Sequence, residues 1–176
     1  MIVRSVSAPP VGPLFLLSQV GAQAARLFAE RLGKVGLKPA HAGILRILAN
    51  EEGLSQQALA TMLGAFASQV VLLLDELEER KLLERRTAPG DRRSHRLFLT
   101  GAGRKRASAV AQWTKEIESS FFAGVSASDL GKLESILRTL VDANAITPSV
   151  HPDYRNLGAR PSTQRARTSR AKGAVT

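Results

Sequence analysis

The residues of this chain that could do chemistry crowd into one short stretch. Between Arg80 and Arg106 stand Arg80, Lys81, Arg85, Arg86, Arg92, Arg93, Arg96, Arg104, Lys105 and Arg106, opposed only by Glu84 and Asp91. Guanidinium groups are permanently charged, planar donor forks suited to phosphate oxygens. Ten cations focused inside a folded segment imply a polyanionic partner, with a merely solvated surface as the bland alternative.

Other chemistries are poorly served. His41, His95 and His151 are scattered without ligand spacing, and the absence of cysteine excludes thiolate zinc sites, disulfides and thiol redox sensing. The sequence carries no glycine-rich phosphate loop or nucleophile elbow, and Glu51-Glu52 reads as a solvated pair at a helix end. Neither metal, cofactor nor catalysis is expected.

The charged stretch needs elements to hold it. Leu14, Leu17, Gly21, Ala24, Phe28 and Leu32 recur at helical steps, and Gly33 and Gly36 end the helix. Pro39 opens a second helix running to about Asn50, with Ile44, Leu45, Ile47 and Leu48 apolar. Ser55 is placed to cap a third, Gln56 to Met62, closed by Gly64. A fourth is expected from Ala67 to Lys81. Val70, Leu73, Leu74 and Leu77 form its buried stripe, and Asp75, Glu76, Glu78 and Glu79 are read as facing water.

The texture then changes. Leu82 to Thr87 suits a short strand, Ala88-Pro89-Gly90-Asp91 a turn, and the alternating run Ser94 to Leu99 a second strand. Thr100 can cap a long helix to about Phe122 carrying Ala107, Val110, Trp113, Ile117 and Phe121. Ser126 and Asp129 open a last helix bearing Leu130, Leu133, Ile136, Leu137, Leu140 and Val141. The fold class is therefore mainly α with a small β-hairpin wing: a winged helix-turn-helix on a helical base. In such a layout the fourth helix suits the major groove of duplex DNA, and the hairpin reaches the neighbouring minor groove or the backbone.

The ends differ in composition. Residues 1–13, with Pro9, Pro10 and Pro13, read as a loose arm. Residues 145–176 read as a basic disordered tail, in which Arg155, Arg160, Arg165, Arg167, Arg170 and Lys172 stand against Asp153. That tail either adds non-specific attraction to DNA or is only a soluble extension. The apolar stretch Val11 to Val20 is broken by Gly12, Pro13, Ser18 and Gln19, so neither a signal peptide nor a membrane span is expected, and the cytoplasm is the expected location. Apolar residues make up 44% of the 176, enough for the core of one domain.

Three motifs resemble one family. Leu54-Ser55-Gln56-Gln57-Ala58-Leu59-Ala60 is similar to the start of the helix-turn-helix of MarR-type regulators, and Leu74-Asp75-Glu76-Leu77-Glu78-Glu79-Arg80 to the end of their recognition helix. Asp91-Arg92-Arg93, followed by Leu97-Phe98-Leu99-Thr100 and Gly103, resembles their wing. The likeness spans roughly residues 14–144. It implies a homodimer whose base is built from about residues 14–34 and 101–144, and a DNA-binding part over about 38–100. It implies a regulator of transcription, read here as a repressor relieved by an effector. By the same resemblance Arg92 enters the minor groove; Asp91 is read as orienting Arg92 or a neighbouring base through a charge-assisted hydrogen bond, and Arg93 as a phosphate ligand. Arg85, Arg86 and Arg96 are read as backbone ligands.

On the helix-turn-helix, Ser55, Gln56, Ser68, Gln69, Val71 and Leu72 are the candidate contacts. Val71 and Leu72 stand where the family commonly has a threonine and an arginine, leaving Ser68 and Gln69 as hydrogen-bonding readers. Affinity is therefore expected to lean on the wing and backbone. A winged-helix interaction module and a non-specific DNA binder remain alternatives. The family also often binds small aromatic or phenolic anions between base and winged domain. His41, Arg46 and Trp113 are the candidates for such a pocket, although His41 reads more readily as a surface or cap residue and Trp113 as dimer core.

Overall fold

The computed structural model describes residues 11–88 and 91–146, with backbone alone for Ala88 and residues 91–94. Residues 1–10 of the expected arm and the tail from residue 147 onward lie outside the described residues. Helix α1 (Pro13–Gly33) leads into α2 (Pro39–Asn50), β1 (Leu54–Ser55), α3 (Gln56–Leu63) and α4 (Ala67–Glu79). The hairpin β2 (Leu83–Ala88) and β3 (Asp91–Leu99) follows, then α5 (Gly101–Phe121) and α6 (Ala127–Ala143). No single described helix is long and apolar enough to cross a membrane.

Local chemistry sets the boundaries. Proline occupies the first turn of both α1 and α2, where a missing N–H costs no hydrogen bond. Ser55 Oγ accepts from Ala58 N, Thr100 Oγ1 from Gly103 N and Ser126 Oγ from Asp129 N, so the three expected caps form. Gly64 closes α3 in the left-handed region at φ 57° and turns the chain towards α4. Helix α4 ends at Glu79, two residues short of the expected Lys81, because Arg80 leaves helical geometry and Lys81 takes a positive φ.

The sheet has three strands in the order β1-β3-β2. The sequence missed β1: only Leu54 and Ser55 pair, against Leu97 and Arg96, too short a run to show alternation. In the hairpin Leu83 faces Leu99, Arg85 faces Leu97 and Arg86 faces Arg96. The expected turn begins later than read, since Ala88 is already paired, to Asp91.

The core lies between α2, α3, α4 and the inner face of the sheet, centred on Ile44, Leu45, Leu48, Leu59, Leu74, Leu77 and Leu97. Gly103 fits α5 against the link between α4 and β2. A β-carbon built there would stand 1.9 Å from Leu82 O, so only glycine permits this approach. The base is open by contrast. Leu14 (81% exposed) and Ile136 (58%) lie bare on α1 and α6, and no residue of α6 is buried.

Candidate nucleic-acid interface

Helix α4 is built in two halves. Val70, Leu73, Leu74 and Leu77 anchor it in the core, and at 100° per residue Ser68 and Leu72 fall on the opposite side. Leu72 is 65% exposed, and Phe66, just before the helix, is 76% exposed. From Ala65 to Leu74 there is no charge; every carboxylate of α4 lies from Asp75 onward. The outward surface of the first two turns is therefore neutral, and the N-terminal dipole favours an anion near it.

The acidic half does not simply face water as the sequence reading had it. Arg85 donates from Nη2 to Asp75 Oδ1 at 2.6 Å and from Nη1 to Glu78, while its backbone N–H donates to Glu78 at 3.3 Å. Glu76 takes Lys38 Nζ on both oxygens, at 2.7 and 2.8 Å. Asp75 and Glu78 tie α4 to the hairpin on one side, and Glu76 ties it to the start of α2 on the other.

Strand alternation explains where each arginine went. Arg85 shares the inner face of β2 with Leu83, opposite Leu97, and its side chain is only 19% exposed. Arg86 points the other way, opposite Arg96, with its guanidinium 4.3 Å from the Phe98 ring centroid and Nε on Glu84 at 2.8 Å. Arg96 Nη1 donates to Gly53 O at 3.2 Å. Two arginines directly opposite on adjacent strands repel each other; Glu84 pairs with Arg86, and Arg96 leaves this outward face with a net positive charge. Arg85 thus sits among carboxylates, whereas Arg86 and Arg96 face outward. The backbone of Asp91, Arg92 and Arg93 belongs to β3, but their side chains lie outside the described residues.

In the helix-turn-helix, Ser55 is occupied as the α3 cap and Gln56 is half-buried beside it. Ser68 is exposed, and Gln69 and Val71 are half-buried on the shoulders of α4.

The three residues read as a ligand pocket differ in burial. His41 is fully buried, not on the surface: Nδ1 accepts from Lys38 N at 3.2 Å as part of the α2 cap. The neutral ring therefore carries its proton on Nε2, which lies 3.1 Å from Glu76 Oε2, off the line of a good hydrogen bond. Burial holds the His41 pKa below its ordinary value, helped by Lys38 and Arg80 and opposed by Glu76. The hydrogen bond from Lys38 lowers Glu76 in turn. Trp113 is half-buried against the core with Arg31 5.0 Å from its ring centroid, and Arg46 is exposed on α2. A groove of about 450 Å³ on α5 is lined by Gln112, Lys115, Glu116, Ser119 and Ser120, and by none of His41, Arg46 or Trp113.

The clamp Asp75–Glu78–Arg85 was missed by the sequence reading. Its signal was there: Arg85 stands two residues after core Leu83 on a strand, facing acids three apart on a helix.

Comparison with known proteins agrees with this geometry. The sequence model of the MarR family matches residues 35–94, from the end of α1 through the hairpin turn. A Thauera aromatica protein named for a transcriptional regulatory role at the hcr operon is 33% identical over 114 residues, 65% of this chain and 69% of that one. CouR of Rhodococcus jostii RHA1, solved with p-coumaroyl-CoA, is 26% identical with a TM-score of 0.60, covering 73% of this chain and 91% of that one. The Staphylococcus aureus MepR–DNA complex shares the fold at 20% identity and a TM-score of 0.65, covering 76% and 99%. The chain belongs to the MarR family of winged-helix transcriptional regulators.

Proposed function

We propose that this regulator binds duplex DNA as a homodimer, each copy presenting the first turns of α4 to a major groove and its β2–β3 hairpin to the adjoining backbone and minor groove. The observation that carries this reading is the outward-facing Arg86–Arg96 pair of the hairpin taken together with the neutral, exposed start of α4. The pair sets two like charges against each other, a repulsion that phosphates relieve. Arg92, at the tip, is assigned to the minor groove, with Asp91 orienting it and Arg93 on phosphate. Ser68 and Gln69 supply the hydrogen bonds to base edges.

Dimerisation is supported by the base. An amphipathic helix such as α6, none of whose residues is fully buried, together with exposed Leu14, Phe15, Leu17 and Val20 on α1, is suited to a second copy. Two copies bring two wings to successive half-sites of a near-palindromic operator. We assign the chain to the cytoplasm, where it represses until a small aromatic or phenolic anion binds; the phenolic acyl ligand of the Rhodococcus relative supports that choice of effector class.

The test selects duplexes from a random pool with the full chain and weighs the complex by sedimentation. The reading requires a two-fold motif, two chains per duplex, and Arg92→Ala weakening binding more than Gln69→Ala. Attachment without salt dependence, or a single chain per duplex, overturns it.

A further inference from the structure

We infer that Leu72 reads DNA by touching the C5-methyl group of thymine, making it a specificity-determining residue of the DNA-binding reading on which this inference rests. Leu72 lies 65% exposed on the side of α4 turned away from the core, next to Ser68 one turn earlier. Val71 flanks it, and Phe66 extends the apolar surface to the start of the helix. No charged side chain stands between Ala65 and Leu74, so direct readout there has only Ser68, Gln69 and apolar atoms to work with. Thymine's C5-methyl is the one apolar group that projects from the major-groove edges of the four bases, and elsewhere Leu72 would meet mainly polar atoms that it must desolvate.

The surroundings name the occupant. The hairpin to which α4 is tied carries Arg86 and Arg96 on its outward face, and their net positive charge suits a phosphate backbone. Asp75, Glu76 and Glu78 are held in the later turns of α4 by Arg85 and Lys38, and the turns around Leu72 carry no charge. A leucine with that neighbourhood fits a groove in DNA better than an acidic or apolar protein surface.

The experiment takes a duplex selected by the full chain from a random pool and replaces each thymine singly with deoxyuridine, which removes only the methyl. One or two positions per half-site should lose about threefold to fourfold in affinity, the worth of one buried methyl. In Leu72→Ala, an exposed position where folding is undisturbed, that thymine-over-uracil preference should disappear while the dependence on salt stays unchanged. Equal affinity for thymine and uracil at every position overturns the inference, as does a preference that survives in Leu72→Ala; in both cases salt-sensitive binding to the selected duplex leaves the regulator reading standing. Failure of the full chain to select any duplex overturns both.

Discussion

Replacing Arg85 by alanine should destabilise the protein without removing a phosphate contact. The side chain is 19% exposed and bridges Asp75 and Glu78, whose side chains are 48% and 40% exposed. Because both carboxylates can rehydrate, the loss falls short of the ~3–5 kcal/mol typical of breaking a fully buried pair. Two exposed-type ion pairs at up to ~1 kcal/mol each, with the packing of the arginine stem, bring the sum to about 2 kcal/mol. For a chain of this size that is a fall of roughly 4–8 °C in Tm. Calorimetry measures it directly, and titrating duplex binding against salt supplies the discriminating result. Each phosphate ligand contributes about 0.9 to the slope of log affinity against log salt. Arg85→Ala should weaken binding by loosening the hairpin on α4 while keeping that slope. A variant with unchanged Tm and a slope lower by about one would refute this assignment and restore Arg85 as a backbone ligand.

Arg86→Ala and Arg96→Ala should each lower the salt slope by about 0.9 and weaken all duplexes alike, read by the same titration. Gly103→Ala should cost roughly 2–3 kcal/mol or more, seen as a lowered denaturation midpoint, since its methyl would meet the Leu82 carbonyl at 1.9 Å. His41 has a pKa below its unfolded value of 6.5, so the unfolded chain binds the proton more tightly. Its contribution is intact above about pH 6.5 and is lost as pH falls below that, with Glu76, also lowered, adding loss of the same sign at more acidic pH. Urea midpoints should thus fall from about pH 7.5 to about pH 5.5, and His41→Gln should flatten that decline. Ile136→Asp should shift sedimentation towards the monomer while Tm of the winged part holds, since Ile136 is 58% exposed within one chain.

Periodicity made the helices legible. Val70, Leu73, Leu74 and Leu77 named the buried stripe of α4, and Ser55, Thr100 and Ser126 marked three helix starts because capping is a local contract between a side chain and the next turn. Partnerships between elements were less accessible. Two-residue β1 leaves no pattern, and its pairing with Leu97 and Arg96 depends on residues some forty positions away. The acids of α4 read as solvated because helical spacing alone shows a polar face, not that Lys38 and Arg85 arrive opposite it. His41 was legible as a cap, through Lys38, but not as buried: the ring sits beneath Glu76, and only packing reveals that. Arg85 and Arg86 looked equivalent as charges, and strand alternation separates them.

The division of α4 into a clamped end and a free beginning bears on how binding preference could be re-engineered. Residues 73–79 are fastened to α2 and to the hairpin, so exchanging the whole helix puts both fastenings at stake wherever the incoming acids do not match Lys38 and Arg85. A graft confined to residues 66–69, 71 and 72 touches neither the anchoring leucines nor the ion pairs, and a library built there samples new operators on an unchanged chassis.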